Sequence, residues 1–260
     1  MNKKKNSIYK LIWVILLIVA WEITTKFGMV NKYILPPFSE VILKLCSEFV
    51  KGTLLLQVWN SLKVVLYGFI ISFVISAIVV VLCMVSKVFE SFVMTICTIC
   101  NPLPGVALMP VFMLWFGIGT GVLLALIFHA VAWPLITNLL SGLHGVPKIY
   151  TEWADNIECS LPNKIVHIYF YSIMPNLLSG LRIGWGRAWR ALIAGEMVFG
   201  MIGELGGLGY YIYKARAYGN MESVYVGIVI IIIIGLFVEE FLFKLIDKHT
   251  IQKWGMTDGK

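Results

Sequence analysis

Four charged residues stand inside one otherwise apolar stretch: Arg182, Arg187, Arg190 and Glu196. Arginine at a bilayer centre costs about 2.5–3.5 kcal/mol on insertion scales, so such groups face protein or water rather than lipid. At 100° per residue, Arg187 and Arg190 lie about 60° apart and share one broad helical face. Arg182 and Glu196, almost four turns apart, share another. Guanidinium forks match oxyanions, so the chemistry on offer is attraction of an anion, with no bond made or broken. Quieter roles suit the same residues. Arg182 can snorkel from a span end, Arg187 can make an internal bond, and Glu196 can pair with another span. His129, beside Trp133 and Pro134, suits a packed or helix-bonded imidazole as well as a ligand.

A second cluster lies at residues 145–175, which carry Lys148, Glu152, Asp155, Glu158, Lys164 and His167 and cannot cross a bilayer. Pro147 suits the first turn of a helix, and Ser160 before Pro162 suits the cap of a second. The expectation is a helix–turn–helix loop on a membrane surface. Glu152, Asp155 and Glu158 offer charge and Trp153 a large apolar anchor. The residues alone leave open a docking helix or a solvated acidic loop whose tryptophan touches headgroups. Cys97 and Cys100 form a CxxC with no partner pair, which reads as buried inert thiol. There is no dinucleotide fingerprint, Walker loop or HExxH. No nucleophile–base set or metal-ligand set is clustered, so no catalytic or metal residue and no cofactor is assigned to the chain.

The elements that position these groups follow from composition. Of 260 residues, 59% are hydrophobic and 13% charged, against about 25% charged in soluble proteins. Apolar runs of about twenty residues match ~30 Å of hydrocarbon. A net charge of +7 would suggest nucleic acid in a soluble chain. The lysines gather at the termini, so a membrane explains them and no nucleic-acid partner is expected. The first apolar run lacks a small-residue cleavage site and is expected to remain as a span.

The chain reads as an all-α membrane protein, a single transmembrane domain over residues 1–260 with six spans, at about 11–25, 62–85, 88–116, 122–140, 176–199 and 224–245. Between the first two, Pro36–Pro37 stops the chain, Ser39 can cap, and Val41, Ile42, Leu45 and Phe49 recur at helical spacing. That predicts an amphipathic helix lying at the interface. The third span is interrupted at Asn101-Pro102-Leu103-Pro104-Gly105. Broken backbone at membrane depth is tolerated inside protein or along a cavity, so Pro102 and Pro104 are candidates for the path, with a simple kink as the alternative. A glycine-rich stretch from Gly203 to Gly209 follows the fifth span. Six spans and the positive-inside rule place both termini and the 145–175 loop in the cytoplasm.

Four segments in order then resemble the permeases of ABC importers, in the nitrate/sulfonate/taurine branch. They are LPPFSEV before the second span, NPLPGVALMPVFMLWFGIG from Asn101 to Gly119, SGLRIGWGRAWRALIAGEM from Ser179 to Met197, and GGLGY from Gly206 to Tyr210. The 145–175 loop is similar to that family's cytoplasmic EAA loop. Here the EAA reads Glu152-Trp153-Ala154, Glu158 stands where the family has glycine, and Arg190 where the branch is usually apolar.

The resemblance implies a type I importer permease without catalysis of its own, in a bacterial cell membrane. It implies a second permease copy, two cytoplasmic ATPase subunits that hold ATP and magnesium, and an extracytoplasmic binding protein. It assigns Glu152, Trp153, Ala154, Asp155, Glu158 and Ser160 to ATPase coupling. A path past Pro102, Pro104, His129, Arg187, Arg190 and Glu196 is expected to carry a small anion. The alternative class is a secondary transporter driven by ions through Glu196 and His129, against which stand the absence of an obvious inverted repeat and the long polar loop.

Overall fold

The computed structural model describes residues 3–200 and 206–254, and those residues are almost wholly helical. The chain opens with α1 (Lys3–Lys26) and the short α2 (Phe38–Lys51). There follow α3 (Leu54–Val85), α4 (Lys87–Cys100), α5 (Met109–Phe116) and α6 (Thr120–His144). Among the described residues, four helical stretches are long and apolar enough to cross a bilayer: Ile8–Lys26, Leu54–Val85, Thr120–His144 and Met221–His249. The pair Lys87–Cys100 and Gly105–Phe116, bent by 96° at the prolines, makes a fifth if it is one span. The later helix α10 (Met174–Phe199) has 26 residues, about 39 Å at 1.5 Å per residue. Its length suffices, while its four charges make it the least apolar.

The core is built by α3, α6 and α10, with α10 lying along α6 and α3 against both. Val65, Leu126, Ile127, Leu135, Ala188 and Leu192 are sealed between them. Gly180, Gly184 and Ala188 recur every fourth residue on α10, so its backbone comes close to α6, as small residues permit in membrane bundles. A Cβ at Gly180 would stand 3.0 Å from Leu135, and one at Gly184 3.2 Å from Val131.

At one end of the bundle, α1 is joined to α2. The indole of Trp21 donates to the Pro36 carbonyl at 3.0 Å, and its ring meets Phe38 and Tyr225. Ser39 does not cap α2 as its residue type suggests. Pro37 occupies the cap position of α2 with no side-chain bond, and Ser39 instead donates its hydroxyl and its N–H to Glu22 at 2.7 and 3.1 Å. A carboxylate from α1 thus serves the orphan N–H of α2, which is favoured at the positive end of a helix. Ser86 does cap a helix: its oxygen accepts from Phe89 N–H at the start of α4.

At the other end, residues 145–175 form a helix–turn–helix. It comprises α7 (Lys148–Asn156), α8 (Leu161–Lys164), a π-helical turn over Ile165–Tyr169 and α9 (Phe170–Ser172), leading into α10. Pro147 takes the cap position of α7, one residue before its predicted place in the first turn. Beyond α10 lie α11 (Leu208–Ala217), α12 (Met221–Leu236), a π-helical turn over Phe237–Leu242 and α13 (Phe243–His249). Gly203, Glu204 and Leu205 of the glycine-rich stretch, and Lys260, lie outside the described residues.

Candidate functional site

The helix α7 stands away from the bundle with one side committed. Ala154 is fully buried against the loop, while Ile149, Tyr150, Trp153 and Ile157 are exposed, Trp153 to 60%. Glu152 and Glu158 are exposed beside them. An open groove of about 490 Å³ runs next to α7 and is lined by Pro147, Tyr150, Trp153, His167 and Tyr171. Asp155 is exposed too, and its carboxylate accepts from Lys164, whose side chain is the more covered of the two. That carboxylate holds the lysine above its usual value. The lysine's contribution is therefore fully present below its ordinary value and is lost as pH rises through the raised one.

The turn that ends α7 has a strained residue. Glu158 takes φ +52°, the only positive φ off glycine among the described residues. Its N–H bonds Asp155 O at 3.0 Å, and Cys159 N–H bonds Ala154 O at 2.9 Å. That is the paired bonding of a Schellman motif, whose left-handed position normally holds glycine. A backbone position that favours glycine is thus held by glutamate.

The candidate path residues separate into three places. At the break after α4, Arg187 Nη1 donates to Asn101 Oδ1 at 2.6 Å, a cation at the negative end of that helix. His129 is buried against the same break: its ring faces Phe112 and Trp133, and a Cβ on Gly105 would stand 3.5 Å from its Nδ1. On the outward side of α10, Arg190 is exposed and has no partner among the described residues, and Pro102 and Pro104 are exposed as well. Arg182 belongs to the far end, donating to Asp247 at 2.6 Å and lying over the Phe243 ring.

Glu196 occupies the third place, apart from all of these. It is 3% exposed, and its two oxygens receive the Ser61 hydroxyl at 2.7 and 2.8 Å. One oxygen also accepts Gly209 N–H at 2.8 Å, while Leu208 N–H donates to Ser61 Oγ at 2.8 Å. A buried carboxylate without a cation persists only where donors are placed for it. Sequence reasoning missed Ser61. The available signal was a glycine pair, Gly207 and Gly209, opening a helix near an acid.

Residues 68–252 match the family described as the binding-protein-dependent transport system inner membrane component, which covers more than half of the chain. The chain belongs to that family. The permease is 26% identical to a Bacillus subtilis chain named for aliphatic sulfonates transport, over 92% of this chain and 84% of that one. It is 26% identical to the taurine transport system permease protein of Escherichia coli, over 86% and 82%. It is 25% identical to a nitrate import permease protein of Synechocystis, over 72% and 66%. It is therefore an ABC importer permease of the nitrate/sulfonate/taurine branch, an all-α, multi-pass protein of the cell membrane. Subunits of this family are not enzymes, because ATP is hydrolysed on separate chains.

Proposed function

We propose that this permease forms the path by which a small anion, such as a sulfonate, taurine, nitrate or a similar solute, enters a bacterial cell on ATP hydrolysed by partner subunits. Two copies make the path, with two cytoplasmic ATPases holding ATP and magnesium below and an extracytoplasmic binding protein above. Six spans, the 88–116 segment and α10 included, put both termini and the 145–175 loop in the cytoplasm. The α2 and α11 end then faces out.

The observation that carries this reading is α7. A nine-residue helix that buries Ala154 and presents Trp153, Ile149 and Ile157 outward suits a groove on another protein, since buried aromatic anchors dominate such contacts. Glu152 and Glu158 give the contact its charge, and the Asp155–Lys164 pair keeps α7 and α8 together. Ser160 lies in the link between them. The arginine on the outward face of α10 supports the anionic solute, since an unpaired intramembrane cation belongs to a wet or protein-covered surface. Exposed Leu114, Trp115 and Phe116 on α5 support cover by a second copy or lipid.

The test is to co-express the permease with its chromosomal neighbours, purify on this chain and assay ATPase activity. An ATPase that co-purifies, and is lost when Glu152 and Trp153 are replaced, is the expected result. A permease that purifies alone and moves solute on an ion gradient would overturn the reading in favour of a secondary transporter.

A further inference from the structure

Glu196 lies where three elements meet. Ser61 comes from α3, Glu196 from α10, and Leu208 and Gly209 from the first turn of α11, and every bond of the cluster crosses between elements. Asn60, the neighbour of Ser61, adds a bond from its amide to the Gly206 carbonyl at 3.1 Å. The fit leaves no slack. A Cβ at Gly207 would fall 2.1 Å from Glu196 Oε1, and one at Gly209 2.4 Å from the Ile193 carbonyl. The N-terminus of α11 thus rests directly on the carboxylate, and its dipole favours a negative charge there.

The opposite end of α10 is the loop. From Leu161 to Phe199 the chain is helical except at Ile173, and the ladder continues across that residue through Ile173 N–H to Tyr169 O and Leu177 N–H to Ile173 O. A displacement that reaches α8 is therefore carried along α10 rather than absorbed at Ile173. What α10 can do at its far end depends on what is fastened to it, and the fastening is Glu196.

We propose that Glu196 and Ser61 are positioning residues of the transport cycle, latching the Gly206–Gly209 segment and α11 to α10 so that movement entering at the loop reaches the opposite mouth of the path. The inference rests on the importer reading and goes beyond loop docking to the part that responds at the far side. A latch made of directional hydrogen bonds moves α11 with α10. An apolar contact of the same size would let the two slide.

The test uses the full complex with its ATPase and binding protein in liposomes. Cys46, exposed on α2, is replaced by serine, and Tyr213→Cys on the exposed side of α11 reports labelling by a membrane-impermeant maleimide. Labelling is compared without nucleotide and after trapping with ATP and vanadate. Coupling of this kind shifts an equilibrium by about fivefold or more, so at least that difference in labelling rate is expected with native Glu196. E196Q places an amide N–H among donors, and it should abolish the difference and lower solute uptake while the ATPase still co-purifies. If E196Q fails to assemble, S61A decides, because it keeps the Gly209 bond. A reduced labelling difference in S61A is expected. A native-like difference and native-like uptake in either variant would overturn the latch, as would equal labelling in both states with native Glu196. Failure of any ATPase to co-purify with the native chain counts against the importer reading instead.

Discussion

Arg187 on α10 donates a 2.6 Å hydrogen bond to Asn101, the residue at which α4 ends and the proline break begins. The bond crosses 86 positions of sequence and fixes the angle at which the broken segment leaves α4. Hydrogen bonds to charged groups contribute about 1.5–3 kcal/mol. Arg187→Leu and Asn101→Ala should each lower the thermal midpoint of the purified permease. Because the two residues act on each other, the double variant should lose clearly less than the sum of the singles. Additive losses would show that the contact carries no stability of its own.

Much of this arrangement is legible in the sequence. The break at Pro102 and Pro104 followed from missing N–H donors, and the 145–175 loop from charges that hydrocarbon does not admit. What was not legible were the partners. Ser39 carries a good capping residue's signature, yet Glu22, 17 positions earlier, takes its hydroxyl. Glu196 finds Ser61 at a separation of 135 residues. Nothing local in the sequence marks either pairing, because each is set by how helices cross. Arg187 and Glu196 therefore read as path residues by composition. In the structure one ties down the break and the other sits in a closed cluster.

The coupling reading makes Trp153 the residue to test. Exposed anchors of this type cost at least about 2 kcal/mol when truncated in an interface, which is more than tenfold in affinity. Trp153→Asp should release most of the ATPase on washing of the immobilised complex, while membrane insertion of the permease is unchanged. Glu152→Lys should act in the same direction. Full retention of the ATPase in both would remove α7 from the contact.

Glu158 offers the opposite kind of prediction, a gain. Its left-handed backbone costs a non-glycine residue roughly 1–2 kcal/mol, and the Schellman bonds around it do not use its side chain. Glu158→Gly should therefore stabilise the turn by about 1 kcal/mol, read as slower proteolysis of the 145–175 loop in detergent. If Glu158 also contacts the ATPase, the same variant will hold its loop better and its partner less well. Faster proteolysis would mean that the side chain is needed in the turn after all.

The proposal of an anionic solute rests on Arg190. That residue stands on the outward face of α10, with its guanidinium lying back toward Gly186, and no acid on this chain neutralises it among the described residues. A structural cation would be expected to have a partner, as Arg182 has Asp247 and Arg187 has Asn101. An unpaired one in a span serves whatever passes or packs there. Arg190→Leu removes a charge-assisted donor of about 1.5–3 kcal/mol. Uptake of a sulfonate or nitrate by reconstituted complexes should fall about tenfold or more, with assembly and ATPase retention unchanged. Arg190→Lys should keep part of the flux, since the charge remains while the planar fork is lost. Loss of assembly in Arg190→Leu would place the residue between the two permease copies. Unchanged uptake in both variants would remove it from the path.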